Sequence, residues 1–178
     1  MGTYLNPGNS GFSEILDSGY IDKTGMIELI NQRINTLNKL LCISRPRRFG
    51  KSIAAKMLCA YYDHTCDSHS LFDGKAVSIS EHYEKHINKY NVIYLDIAGF
   101  VSDVRRRDGN LKGVVQEIAE AVRLDLISDC PNLKEQYKLS KCMLEYVEAT
   151  KMKIVFVIDE WDAVIREAKM IQIHRKHI

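Results

Sequence analysis

The 178-residue chain predicts an α/β fold built on a parallel sheet, and two features of the sequence carry that expectation. Three short apolar runs, Leu40 to Ile43, Val92 to Ile97 and Ile154 to Ile158, alternate with stretches whose apolar residues recur at helical spacing. The last run, Ile-Val-Phe-Val-Ile, is apolar at every position, as parallel strands covered on both faces are.

Residues 1 to 19 contain Gly2, Pro7, Gly8, Gly11 and Gly19 with little periodicity, and read as an extended lead-in with one short turn at Phe12 to Leu16. Thr24 can cap a helix over about Gly25 to Ile34, where Ile27, Ile30 and Ile34 recur at helical spacing. Leu40 to Ile43 is stopped by Arg45-Pro46, which predicts a buried strand entering a turn. After Gly50, the spacing of Ile53, Met57, Leu58 and Tyr61 marks a helix with one buried face. Val92 to Ile97 is the second strand, ended by Asp96 in a turn or capping role. Leu111 to Leu126 is the cleanest amphipathic helix, with Lys112, Glu117, Glu120 and Arg123 on its polar face. A further helix spans about Leu133 to Ala149, ahead of the third strand.

Apolar residues make up 46% and charged residues 27%, a globular composition sized for one hydrophobic core. The net charge of +2 is too small to make the whole surface a nucleic-acid or membrane binder, so an anion site must be local. No apolar run approaches the ~18 residues of a membrane span, and the N-terminus has neither the basic flank nor the apolar stretch of a signal peptide, which predicts a cytoplasmic protein. The five cysteines, Cys42, Cys59, Cys66, Cys130 and Cys142, are odd in number and scattered, and are expected to be reduced.

The chemistry gathers at the first strand-to-helix junction. Arg45, Pro46, Arg47, Arg48, Phe49, Gly50, Lys51 and Ser52 match the phosphate-loop spacing G-x-x-x-x-G-K-[ST] except that Arg45 replaces the first glycine. Gly50 permits close backbone approach, the helix N-terminus presents positive potential, Lys51 would reach the β and γ phosphates, and Ser52 would ligate Mg²⁺. With Ile53, these residues form the candidate cofactor-binding stretch. Ile154 to Ile158 then leads into Asp159-Glu160, two carboxylates at the C-terminal end of a parallel strand, where ligands bind in open α/β sheets. Asp159 would hold Mg²⁺ and Glu160 would polarise the attacking water, so Glu160 and Lys51 are the candidate catalytic pair. Taken singly, the arginines read as a solvated basic turn and the carboxylates as a helix cap. Neither bland reading explains Lys51-Ser52 after a glycine at this junction.

Three segments together resemble the AAA-ATPase-like family: the lead-in Tyr20-Ile21-Asp22-Lys23-Thr24, the loop Ser44 to Ser52, and Ile158-Asp159-Glu160-Trp161-Asp162. The resemblance covers about residues 11 to 167. It implies a P-loop three-layer sandwich, ATP rather than GTP as the nucleotide, and a lead-in lying near it; Arg45 in place of glycine is then the norm. Fuller relatives often carry a restriction-endonuclease-like nuclease domain, to which nothing here corresponds. The resemblance also implies a further strand between the loop strand and the Asp159 strand. Only ~18 residues follow Glu160, so the core is expected to be C-terminally truncated, marginally stable and at best a very weak ATPase, acting with a missing C-terminal domain or partner. The tail from Lys169 to Ile178 is basic without a face pattern, which a frameshift in the gene would explain.

The resulting organisation is one domain: residues 1–38 as lead-in and first helix, and 39–178 as an incomplete P-loop core. The competing functions are a nucleic-acid-binding module whose arginines hold phosphates without hydrolysis, and an inert truncated product. Arg105-Arg106-Arg107 is the candidate nucleic-acid contact, although such a run in a loop is more often solvated. Cys59, His64, Cys66 and His69 have no standard zinc spacing. Trp161, the sole tryptophan, is expected to pack against the lead-in or a helix.

Overall fold

The computed structural model describes residues 3–44, 49–107 and 111–168. Helices α1 (Ser10–Leu16), α2 (Gly25–Asn31), α3 (Lys51–Tyr62), α4 (His69–Phe72) and α5 (Tyr83–His86) precede strand β1 (Asn91–Asp96). Helices α6 (Ile97–Arg107), α7 (Val114–Asp129) and α8 (Leu139–Thr150) then lead to strand β2 (Ile154–Asp159). The architecture is mixed α/β and mostly helical, with a two-stranded parallel sheet. β1 and β2 run in register from Asn91 opposite Ile154 to Asp96 opposite Asp159, so two carboxylates close the sheet at one end.

Alternation along β1 explains the layering. Val92 and Tyr94 face a core built with Phe12, Ile27, Met57, Tyr61 and Tyr62 of α1 to α3. Ile93 and Leu95 face a second core with Phe100, Val104, Val122, Leu126 and Tyr146 of α6 to α8. β1 therefore has a helical layer on each face. Several polar groups that enter the first core pair with one another, although the buried Tyr83 hydroxyl has no partner among the described residues. Asn31 donates to the Tyr61 hydroxyl (3.0 Å) and accepts from the Tyr62 hydroxyl (2.8 Å), while Tyr61 donates to the Tyr83 carbonyl.

The lead-in is extended as expected only up to Asn9, since Ser10–Leu16 forms a helix instead of a short turn, and it does more than connect. Asn6 donates through its backbone to Val92 O (2.7 Å), and Tyr94 N donates to Tyr4 O (2.9 Å), with Leu5 bridging antiparallel to Ile93. The Asp125 carboxylate of α7 accepts from Tyr4 N and Leu5 N at 2.6 and 3.0 Å, fixing the segment in place. One edge of β1 is thus covered by the N-terminal segment and the other by β2.

The expected strand at Leu40 to Ile43 is not formed. Residues 40 to 44 make no ladder, and Leu40 is 91% exposed. A strand needs a hydrogen-bonded neighbour, and among the described residues none lies between this segment and β2. The expectation that Ile154 to Ile158 is covered on both faces also fails in part: Val157 is buried against the first core, but Phe156 and Ile158 are 45% and 49% exposed.

Helix boundaries move for local reasons. The helix after Thr24 ends at Asn31, and turns follow it. Residues 111–113 form a single 3-10 turn before α7. The helix expected from Leu133 starts only at Leu139, because the polar stretch before it turns. An unanticipated helix, α6, follows β1 directly, and its Ile97, Phe100, Val101 and Val104 form a buried stripe. Asp96 opens that helix: its Oδ1 accepts from Ala98 N (3.0 Å) and Gly99 N (3.2 Å), the capping role expected of it.

Candidate functional site

Gly50 sets the start of α3. Its φ of 75° lies in the left-handed region that glycine enters without a steric cost, and a Cβ at this position would lie 2.9 Å from the Lys23 ammonium. Lys51 is the first residue of α3, and its Nζ is 3.9 Å from Glu160 Oε1. Phe49 is exposed, and its carbonyl accepts from Lys23 Nζ at 3.3 Å. Arg45, Pro46, Arg47 and Arg48 lie outside the described residues.

The acidic half of the site sits where β2 ends. Asp159 is buried, and its Oδ1 accepts from Glu160 N at 2.9 Å. Glu160 has a φ of 52°, a conformation that a non-glycine residue adopts only at a cost. That turn carries its side chain to Lys51 on one side and to Arg166 on the other, where Arg166 also holds Asp162 at 2.8 Å. The ion pair with Glu160 raises the Arg166 pKa above its ordinary value. Burial, and then the negative charges of Asp159 and Asp96, push the Tyr94 phenol up to about 12.

A groove of about 2050 Å³ brings these groups together: Lys23, Gly50, Lys51, Asp159, Glu160 and Trp161 all line it, and Leu40 to Ile43 lies along it with the apolar β2. Ser52 is exposed, and neither Ser52 nor Ile53 is among the lining residues. Trp161 is 58% exposed on the groove rather than packed into a core. The donor chemistry at β2's end is carboxylate oxygen, which suits a hard cation such as Mg²⁺. Among the described residues no three His, Cys, Asp or Glu side chains gather to hold a metal unaided.

The other candidates have local partners. Arg105, Arg106 and Arg107 end α6 and pair with Glu167, Asp103 and Glu117. Cys59 is buried, and burial raises its thiol pKa strongly. His64 bonds Asn91 at 3.0 Å, while His69 pairs with Asp67 and Glu84 at the surface. The five cysteines are free thiols. No described helix is long and apolar enough to cross a membrane. Arg166 has no motif around it that would mark it in the sequence, and Lys23 stands out there only as part of the lead-in.

The fold and the groove define a mixed α/β protein in which a glycine-lysine helix start faces an Asp-Glu strand end across one cleft. A family model described as Predicted AAA-ATPase matches residues 7–177, and the chain belongs to that family. Membership of a predicted ATPase family implies nucleotide binding. The match runs through most of the tail that composition alone sets apart. No curated protein and no solved structure matches the chain.

Proposed function

We propose that the chain is an ATP-binding P-loop domain of three-layer architecture, with Mg²⁺-dependent ATP hydrolysis once a further strand fills its sheet. In this reading residues 1–38 are the lead-in and first helix, and 39–178 are an incomplete P-loop ATPase core. The observation that carries it is the approach of Lys51 to Glu160 across one groove, because residues distant in sequence meet there with the charges that a triphosphate and its attacking water require. The loop residues from Arg45 to Ile53 are assigned to the phosphates, and Lys51 to the β and γ phosphates. Ser52 and Asp159 are assigned to Mg²⁺, which when bound neutralises charge developing on the phosphates. Glu160 orients the water.

The test is thermal stabilisation by ATP with Mg²⁺, compared with Lys51→Ala. A shift that vanishes in the variant supports the reading. A shift of equal size in both proteins, or one given only by DNA or RNA, overturns it, the latter in favour of a nucleic-acid-binding module.

A further inference from the structure

We infer that Lys23 is a second phosphate-binding cation of this site, supplied by the lead-in rather than by the loop. The inference rests on the nucleotide reading above and adds a ligand-contacting residue to it.

Tyr20, Asp22 and Thr24, which flank Lys23, are engaged in fixing the segment. Asp22 Oδ1 accepts from Thr24 N (2.8 Å) and Oδ2 from Ala76 N (2.9 Å), while Thr24 Oγ1 accepts from Val77 N (3.1 Å). The Tyr20 hydroxyl accepts from Lys23 N at 3.0 Å and donates to Met57 Sδ on α3. These bonds anchor the lead-in to α3 and to the turn at Ala76–Ile79. The Lys23 side chain leaves this framework and runs to the glycine that opens α3.

Its ammonium bonds the Phe49 carbonyl at 3.3 Å and occupies the space a Cβ of residue 50 would need. A neutral carbonyl is a weak partner for a full charge, and among the described residues no carboxylate lies within ion-pair distance of Lys23 Nζ. Lys23 and Lys51 therefore stand at one glycine, on one groove, beside a helix N-terminus whose potential is also positive. Lys51 has Glu160 opposite it; the charge that answers Lys23 is an anion brought into the groove. A polyphosphate meets that need, and the three donors of an ammonium allow Lys23 to keep the Phe49 carbonyl while it binds phosphate oxygen.

The rival explanation is that Lys23 is a strut for the loop carbonyl. Binding of ATP, ADP and adenosine to the whole chain, with the unliganded Tm, separates the two for Lys23→Met and Lys23→Arg. A phosphate contact predicts that Lys23→Met weakens ATP by roughly tenfold or more, weakens ADP less, leaves adenosine and the unliganded Tm unchanged, and that Lys23→Arg recovers most of the ATP affinity. A strut predicts a lower unliganded Tm and equal weakening of all three ligands, and that result overturns the inference. If Lys51→Ala loses ATP while Lys23→Met binds it like the parent, Lys23 alone is wrong. If the parent binds no ATP, the nucleotide reading falls and Lys23 with it.

Discussion

Lys51 Nζ lies 3.9 Å from Glu160 Oε1, joining the first residue of α3 to the residue just beyond β2. The other carboxylate oxygen of Glu160 pairs with Arg166, so cations flank the group on both sides. Holding a glutamate at a φ of 52° costs about 1–3 kcal/mol, and here the turn aims the carboxylate across the groove instead of along the strand. A phosphate reaching Lys51 competes with Glu160 for the ammonium and leaves the carboxylate to Arg166 and to water.

Glu160→Gln keeps the shape of that arrangement and removes its charge. The variant is expected to bind ATP at least as well as the parent, because Lys51 loses its competing carboxylate, and to show no phosphate release above background. Both ion pairs of Glu160 are partly open to solvent, so its unliganded stability should change by no more than about 1 kcal/mol. Nucleotide titration on the two proteins checks the binding, and phosphate release checks the chemistry wherever the parent turns over; equal turnover above background removes Glu160 from the chemistry.

His86 makes part of the stability pH-dependent. It is buried, with Nδ1 2.6 Å from the Tyr90 hydroxyl, and burial, reinforced by the nearby charges of Lys85 and His82, lowers its pKa from 6.5. The folded state thus resists a proton that the unfolded chain accepts. Its effect on stability is nil above about pH 6.5 and increasingly unfavourable as pH falls from 6.5 to the lower folded pKa. His69 acts in the opposite sense, since its bond to Asp67 raises its pKa. His86→Gln retains a hydrogen-bonding group without the titration, so its Tm should fall less than the parent's between pH 7 and pH 5. Parallel Tm curves would show that His86 carries no such linkage.

How far the sequence could be read depended on whether the partners of each segment were local. The helix start at Gly50-Lys51 and the strand ending at Asp159 follow from turn chemistry and apolar runs a few residues long, and both stand where the pattern puts them. The strand β1 itself was legible for the same reason, close to its observed bounds. Leu40 to Ile43 has the composition of a strand, but strand formation depends on a neighbour that composition does not supply. The Asn6 clamp on Val92 and the Arg166 pair with Glu160 join residues with no shared motif, so only the folded chain reveals them. α6 escaped because Gly99 and the arginine run Arg105 to Arg107 suggest a loop, while the stripe from Ile97 to Val104 overrides them once it meets the second core.

The open side of β2 should govern how the protein behaves at high concentration. β2 bonds β1 along one edge, and among the described residues nothing pairs with its other edge. Phe156 and Ile158 are half exposed on that strand, and Leu40 stands almost bare along the same groove. Unsatisfied backbone groups beside exposed apolar side chains form a template for strand pairing between molecules. Phe156→Lys places a charge on this strand without touching the buried Val157 side, so it should slow aggregation while costing about 1 kcal/mol or less. Val157→Lys, one residue away, drives a charge into the core packed on α3 and should lower the Tm and speed aggregation. Light scattering during concentration and Tm measured on the three proteins distinguish the edge from general instability. If Phe156→Lys aggregates as fast as the parent at an unchanged Tm, association runs through another surface.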